Sequence, residues 1–184
     1  MESENYFDAK LFKSSLLGDL EGVVDALAQG GRVAMRNSHG VTPLLVAAQN
    51  GHTDICGLLL EHGSDVNEVT PETNWTALNL AALKGHEAVV EALLSWGANV
   101  DLHDHQGLTP LYFACQAGHL ACVLPLLKAS VSMPNNNGGL PNPIHIAAHL
   151  NSPDMVSFCE NTLTTILTSS LPFSCTVRQG RHHS

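Results

Sequence analysis

The sequence predicts an all-α solenoid of stacked helix-turn-helix pairs. Three observations predict it: a segment that recurs every 33 to 34 residues, apolar positions spaced as on one face of a helix, and a glycine at the same turn of every good copy. The segments TPLLVAAQNGHTDICGLLLEHGSDVN (Thr42 to Asn67), TALNLAALKGHEAVVEALLSWGANVD (Thr76 to Asp101) and TPLYFACQAGHLACVLPLLKASVS (Thr109 to Ser132) superpose without internal gaps, offset by 34 and then 33 residues. One such helix pair cannot bury its own apolar face. Stability must therefore come from stacking each copy on its neighbours, and about three copies are needed.

The elements follow in chain order. Leu11 to Val33 keeps the two-helix pattern without an opening Thr-Pro, as expected of a terminal copy with a wetter outer face; with its leader it occupies residues 1–36. Repeats are expected over 37–69, 70–103, 104–136 and, in partial form, 137–160. In the good copies Thr42 or Thr109 caps a helix with its hydroxyl, and Pro43 or Pro110 takes the first helical position, where a missing N–H costs nothing. Leu44, Ala47 and Ala48, then Leu78, Ala81 and Ala82, line one face of that short helix, and the paired alanines permit close approach of neighbours. Gly51, Gly85 and Gly118 can adopt the positive φ that turns the chain into a second helix. That helix carries Ile55, Leu58 and Leu59, then Val89, Val90, Leu93 and Leu94, then Val123, Leu126 and Leu127. Gly63 and Gly97 end it, and an extended, turn-rich connection leads onward. A weaker copy starts at Pro143 in PIHIAAHLNSPDMV, where Asn142 takes the Thr position and Asn151-Ser152 replaces Gly-His, so it should be the least stable. Repeat character ends near Glu160. The tail, 161–184, is expected to be a disordered, foreign ending, and its uncharged, β-prone run an aggregation liability if exposed.

These residues resemble the ankyrin repeat, whose pattern of TPLxxAA, a Gly-His turn, an LLL-x-x-GA-type ending and D/N-V-N is met in three consecutive copies. The resemblance covers roughly Leu11 to Ser157. It implies stacked antiparallel helix pairs with β-hairpin-like loops at right angles, a concave face, and a non-catalytic role in binding proteins. The His that usually follows TPL is replaced by Leu45, Asn79 and Tyr112 and survives as His145; these positions are expected to face or border the concave side. The copies also look similar to those of ankyrin proteins with a carboxyl-terminal SOCS box, but the Leu-Cys-Arg and downstream Pro signals of such a box are not in the tail. Substrate recognition for ubiquitination is thus the alternative role, with cullin-ligase components as partners only if a longer form supplies the box.

Composition narrows the function classes. Eight Lys and Arg stand against 17 Asp and Glu, for a net charge of −9. All 17 acidic residues precede residue 161, whereas the tail carries only Arg178 and Arg181. Clustered basic residues, which nucleic acid and anionic membranes require, are missing, so neither is an expected partner. The start of the chain lacks the basic and apolar regions of a secretory signal, and no apolar run of about 18 residues occurs, so cytoplasm, with or without nucleus, is the expected location. Cys56, Cys115, Cys122, Cys159 and Cys175 are odd in number without a CxxC pair, and read as reduced core thiols.

Candidate chemistry is sparse. His103-Asp104-His105 could begin a zinc site, but no third and fourth ligand stand at sensible spacing, and its place in a connection between copies favours a structural or partner-contact role. Recurrence of His52, His86 and His119 at the repeat period makes them scaffold residues. Asn74-Trp75-Thr76 satisfies a glycosylation sequon, yet an intracellular chain would not meet the transferase and Thr76 is needed as a cap. No phosphate loop, nucleophile elbow, HExxH or paired-carboxylate pattern occurs, so no catalytic residue, metal or cofactor is expected. The resemblance places the partner-binding positions at Val41, Gln49 and Asn50; at Trp75, Asn79, Leu83 and Lys84; at Leu108, Tyr112 and Gln116; and at His103 and His105 between them. Trp75 and Tyr112 on adjacent copies, flanked by leucines, suit a hot spot, with selectivity from His103, Asp104, His105 and the acidic rim. Trp96 is expected on the outer rim. Leu59 to Asn67 further resembles the motif in which asparaginyl hydroxylases modify ankyrin repeats, with Asn67 as acceptor.

Overall fold

The computed structural model describes residues 6–132, together with two helical positions beyond them, Ser157 and Asn161. The expectations for the fourth copy, for Cys159 and Cys175 and for the tail lie outside the described residues. Eight helices run in pairs among the described residues: α1 (Tyr6–Leu17) with α2 (Leu20–Ala28), α3 (Pro43–Asn50) with α4 (Thr53–Glu61), α5 (Ala77–Lys84) with α6 (Glu87–Ser95), and α7 (Pro110–Ala117) with α8 (Leu120–Ser132). The first helices α1, α3, α5 and α7 pack in sequence as one layer, and α2, α4, α6 and α8 pack as a second. This is the all-α solenoid that the periodicity predicts.

Local chemistry explains the helix ends. The hydroxyls of Thr42, Thr76 and Thr109 accept the backbone N–H three residues on, at 3.4, 3.1 and 3.4 Å. Pro43 and Pro110 open their helices, where no intrahelical donor is wanted. Gly51, Gly85 and Gly118 close them at φ of 80°, 77° and 76°, a left-handed region open to glycine at little cost. The turn does more than reverse the chain. A Cβ built on Gly51 would lie 2.7 Å from Nδ1 of His86, and one on Gly85 would lie 2.5 Å from Nδ1 of His119. Gly51 and Gly85 thus make room for the histidine of the following repeat. The His86 ring donates through Nε2 to the carbonyl of Gln49 at 3.1 Å, and His52 reaches the carbonyl of Leu16 at 3.3 Å. The histidines stitch one repeat to the one before it.

One hydrophobic cluster runs through the stack from Leu11 to Leu127. Ala47, Ala48, Ala81, Ala82 and Ala114 have no exposed surface, consistent with helices whose backbones approach closely. Two features depart from expectation. Helix α8 continues to Ser132 across Pro125, although a proline removes one helical hydrogen bond. The terminal copy is only partly wet: Lys13 stands where Val46, Leu80 and Phe113 are buried in later copies, but Tyr6, Leu16, Leu17, Leu20 and Val24 are exposed at 41 to 72%. The connections hold an isolated antiparallel bridge, Val69 with Thr76, and no longer strand among the described residues.

Candidate functional site

The connections between copies are built on one turn. Asn37 accepts the N–H groups of His39 and Val41 on Oδ1 at 3.0 and 2.9 Å, and Asp104 accepts those of Gln106 and Leu108 at 2.8 and 2.9 Å. Gly40 and Gly107 then adopt φ of 71° and 80°. The middle connection holds one more residue, which is why the first spacing is 34. There the Thr70 hydroxyl accepts from Trp75 N at 3.0 Å, and Asn74 takes the glycine place at φ 58°, a conformation that asparagine tolerates better than most residues.

The middle and last of these connections are tied together. Asn74 Nδ2 donates to the His103 carbonyl at 2.8 Å. His105 N donates to the Thr73 carbonyl at 3.3 Å, and the Trp75 indole Nε1 donates to Asp104 Oδ2 at 3.3 Å. The indole also meets Phe113 edge-on, with centroids 5.1 Å apart and planes at 61°, and Phe113 in turn meets Tyr112 at 6.3 Å and 86°. On the other side, Arg36 bridges the first and middle connections through the carbonyls of Gly40 and Val69 and the carboxylate of Glu68, the last at 2.6 Å. Trp75 is therefore a half-buried anchor between two repeats, and packing on its own connection alone does not describe it.

The expected surface residues divide by location. His103 and His105 are exposed on the last connection; Gln49, Asn50, Lys84 and Gln116 are exposed at the ends of α3, α5 and α7. Val41, Trp75, Leu83, Leu108 and Tyr112 are half-buried. Asn79 is a correction, for it has no exposed surface. It sits in the first turn of α5, sandwiched in the inner layer, where its N–H donates to Thr76 Oγ1 and its Oδ1 accepts the Thr76 hydroxyl at 2.8 Å. Its side-chain Nδ2 finds no partner. Leu45, in the equivalent place, is also buried, so that column is interior except at Tyr112. Asp104 is a second correction. It is 6% exposed and both carboxylate oxygens are occupied by its own turn and by Trp75, which leaves it no part in surface selectivity. Phe113 is the residue that sequence reasoning missed; its alignment with the buried Val46 and Leu80 was the available signal. Trp96 caps α6 and is 46% exposed.

Little in this surface is reactive. Burial pushes the Cys56 thiol up to about 12, and burial with the Glu87 carboxylate pushes Cys122 up to about 11, so both stay protonated at neutral pH. Among the described residues no group of three His, Cys, Asp or Glu side chains is arranged to hold a metal, and no helix is long and apolar enough to cross a membrane. Asn67 is half-buried; its N–H donates to Asp65 Oδ1 at 2.9 Å and its own Oδ1 accepts Asn99 N at 2.8 Å, a bond to the start of the next connection.

Comparison with known proteins places this architecture. A family model described as ankyrin repeats in three copies matches residues 11–104 and 96–160. Over 116 residues, 62% of this chain, it is 38% identical to the ankyrin repeat and KH domain-containing protein mask-1 of Caenorhabditis elegans. It is 32% identical over 136 residues, 73% of the chain, to the ankyrin repeat protein nuc-2 of Neurospora crassa. It is 45% identical over 83 residues, 45% of the chain, to the E3 ubiquitin-protein ligase XBAT33 of Arabidopsis thaliana. The matched stretches amount to 4, 12 and 16% of those three proteins.

Proposed function

The chain belongs to the ankyrin-repeat family, and from that premise we propose that it is a non-catalytic adaptor that binds a partner protein on the face made by its connections and the ends of its first helices. The observation that carries the proposal is Trp75. Its indole is held by Asp104 and Phe113 from the following repeat while part of it remains accessible. An aromatic side chain fixed before binding loses little conformational entropy on association, which favours its use as an anchor. Tyr112 and Leu108 extend the apolar area, and His103, His105, Gln49, Asn50, Lys84 and Gln116 supply an exposed polar rim. Val41 and Leu83 border it.

Affinity capture with the wild-type chain beside a Tyr112→Ala/His105→Ala variant tests this reading, with unfolding by urea as the check on folding. The expected result is loss of a specific partner by the folded variant. Equal retention of every partner would remove the proposed surface. Trp75→Ala serves only as a supplement, because its loss also loosens the packing between repeats.

A second reading is favoured by the identity to a stretch of an E3 ubiquitin-protein ligase: the same surface selects substrates for ubiquitination. Its test is co-purification with elongin or cullin subunits, and their absence from a longer form would leave the simple adaptor. The narrower proposal is hydroxylation of Asn67, which is half-buried and whose Oδ1 accepts the Asn99 N–H. A 16-dalton gain at Asn67 after exposure to an asparaginyl hydroxylase is the expected outcome, and an unchanged intact mass would end it.

A further inference from the structure

We propose that Thr70 is a phosphorylation site, the acceptor of a phosphoryl group from ATP under a proline-directed protein kinase, and that the phosphate loosens Trp75. The loosening bears on the anchor proposed above; the site itself does not depend on that reading. A Ser or Thr followed by Pro occurs at Thr42-Pro43, Thr70-Pro71, Thr109-Pro110 and Ser152-Pro153, the last of which lies outside the described residues. Such a pair suits an extended substrate cleft, because proline holds the residue before it in extended backbone.

The structure separates the other three. Thr42 and Thr109 cap α3 and α7 with their hydroxyls, and Pro43 and Pro110 are buried in the first turns of those helices. A kinase could reach either pair only by unwinding a helix of the stack. Thr70-Pro71 instead lies in the middle connection, between α4 and α5. Thr70 is half-buried, and Pro71, Glu72 and Thr73 after it are exposed in a turn. Connections of this kind open locally at lower cost than packed helices do.

Thr70 is also the residue on which that connection closes. Its N–H donates to the Trp75 carbonyl at 3.0 Å, and its carbonyl accepts Asn74 N at 2.9 Å. Its Oγ1 accepts Trp75 N at 3.0 Å and shares a 2.7 Å hydrogen bond with the Thr73 hydroxyl. Phosphorylation forms a bond from Oγ1 to the γ-phosphorus of ATP and breaks the bond from that phosphorus to the β,γ-bridging oxygen. ADP leaves, and the hydroxyl proton passes to the kinase's base. The oxygen that holds Trp75 and Thr73 becomes an ester oxygen with a tetrahedral group on it and no proton to donate. That group brings about 1.5 to 2 negative charges to a residue between Glu68 and Glu72 in the chain. Arg36 is the cation at hand: Nη1 donates to the Val69 carbonyl, on the peptide group next to Thr70, at 3.4 Å, and Nη2 donates to Glu68 at 2.6 Å. The phosphate competes with Glu68 for it, with more charge and three acceptor oxygens.

The test is to incubate the folded full chain with MgATP and a purified proline-directed kinase, and to map phosphate by tandem mass spectrometry. The expected result is phosphate on Thr70, absent from Thr70→Ala and formed at least tenfold more slowly in Pro71→Ala, which keeps the acceptor hydroxyl; urea unfolding checks that both variants fold. A wild-type chain that gains no phosphate on Thr70 overturns the inference. So does modification of Thr73 in its place, or a Pro71→Ala chain modified as fast as the wild type. In a Trp96→Phe background, which leaves Trp75 as the one tryptophan, phosphorylation should shift the emission and phosphatase should restore it. Phosphate on Thr70 with unchanged emission overturns the loosening. Neither readout needs a partner, so failure of the proposed binding surface and failure of this inference are told apart.

Discussion

Replacing Gly51 with alanine tests how the repeats are joined, because two separable costs meet there. The first is backbone strain: φ at Gly51 is 80°, and an L side chain in the left-handed region costs roughly 1–2 kcal/mol. The second is steric. The new Cβ would stand 2.7 Å from His86 Nδ1 and 2.8 Å from Cε1, so the ring must move and its 3.1 Å bond to the Gln49 carbonyl is lost, a further ~0.5–1.5 kcal/mol. Gly63→Ala isolates the first cost, since Gly63 has φ 89° and nothing within 4 Å of a built Cβ. Reduced freedom of the unfolded chain accompanies both changes and cancels in their difference. Gly51→Ala should therefore lower stability by about 1 kcal/mol more than Gly63→Ala, read from equilibrium urea unfolding of the full chain. In a His86→Ala background that excess should vanish. A Gly51→Ala chain as stable as Gly63→Ala, or strict additivity of Gly51→Ala with His86→Ala, would refute the ring as the joint between repeats.

Three further outcomes follow from the connections and the cap. Asp104→Ala strips the acceptor from two backbone N–H groups and the Trp75 indole, so it should cost about 2 kcal/mol and shift the tryptophan fluorescence. Asp104→Asn should cost less than half as much, because Asn37 makes the same turn with an amide; equal losses would contradict the assignment. Asn79→Leu removes a buried amino group that has no partner and keeps the Thr76 cap to the backbone, while Leu45 shows that leucine fits the same place in the preceding copy; stability should hold or rise by up to about 1 kcal/mol, and a loss beyond that would mean Oδ1 matters more than Nδ2 costs. Finally, burial alone would raise the Asp8 pKa, but the Arg32 side chain, at 2.9 and 2.6 Å, and the Arg32 backbone N–H, at 2.7 Å, together hold it below the ordinary carboxylate value. A depressed folded pKa contributes stability above the unfolded value of about 3.9 and loses it as pH falls through the folded one. Arg32→Gln should move the Asp8 titration, followed by NMR, upward and reduce that acid-side loss. An unmoved titration would refute the pairing.

The share of this protein legible in its sequence is the share governed by near neighbours. Thr42, Thr76 and Thr109 cap helices through bonds spanning three residues, Pro43 and Pro110 start them, and Gly51, Gly85 and Gly118 turn the chain, all through local torsion and hydrogen bonding. The repeat period carries these local choices into a global stack, and hence the solenoid was readable before any contact was known. The ends of the first helices, with Gln49, Lys84 and Gln116, were also readable as surface, because a helix terminus beside a turn is exposed whatever packs behind it. Burial at the helix starts was not readable. Asn79 looks like surface by polarity, yet the flanking repeats enclose it; Asp104 looks like part of an exposed His-Asp-His cluster, yet a tryptophan 29 residues earlier claims its second oxygen. Lys13 carries the same message, for it is exposed in the register where Val46, Leu80 and Phe113 are buried. Sequence by itself determined each helix pair and its period, since these depend on torsions and bonds within a few residues. The stacked structure alone decided which side chains lie between repeats and which remain for a partner, because exposure depends on atoms brought close from about 30 residues away.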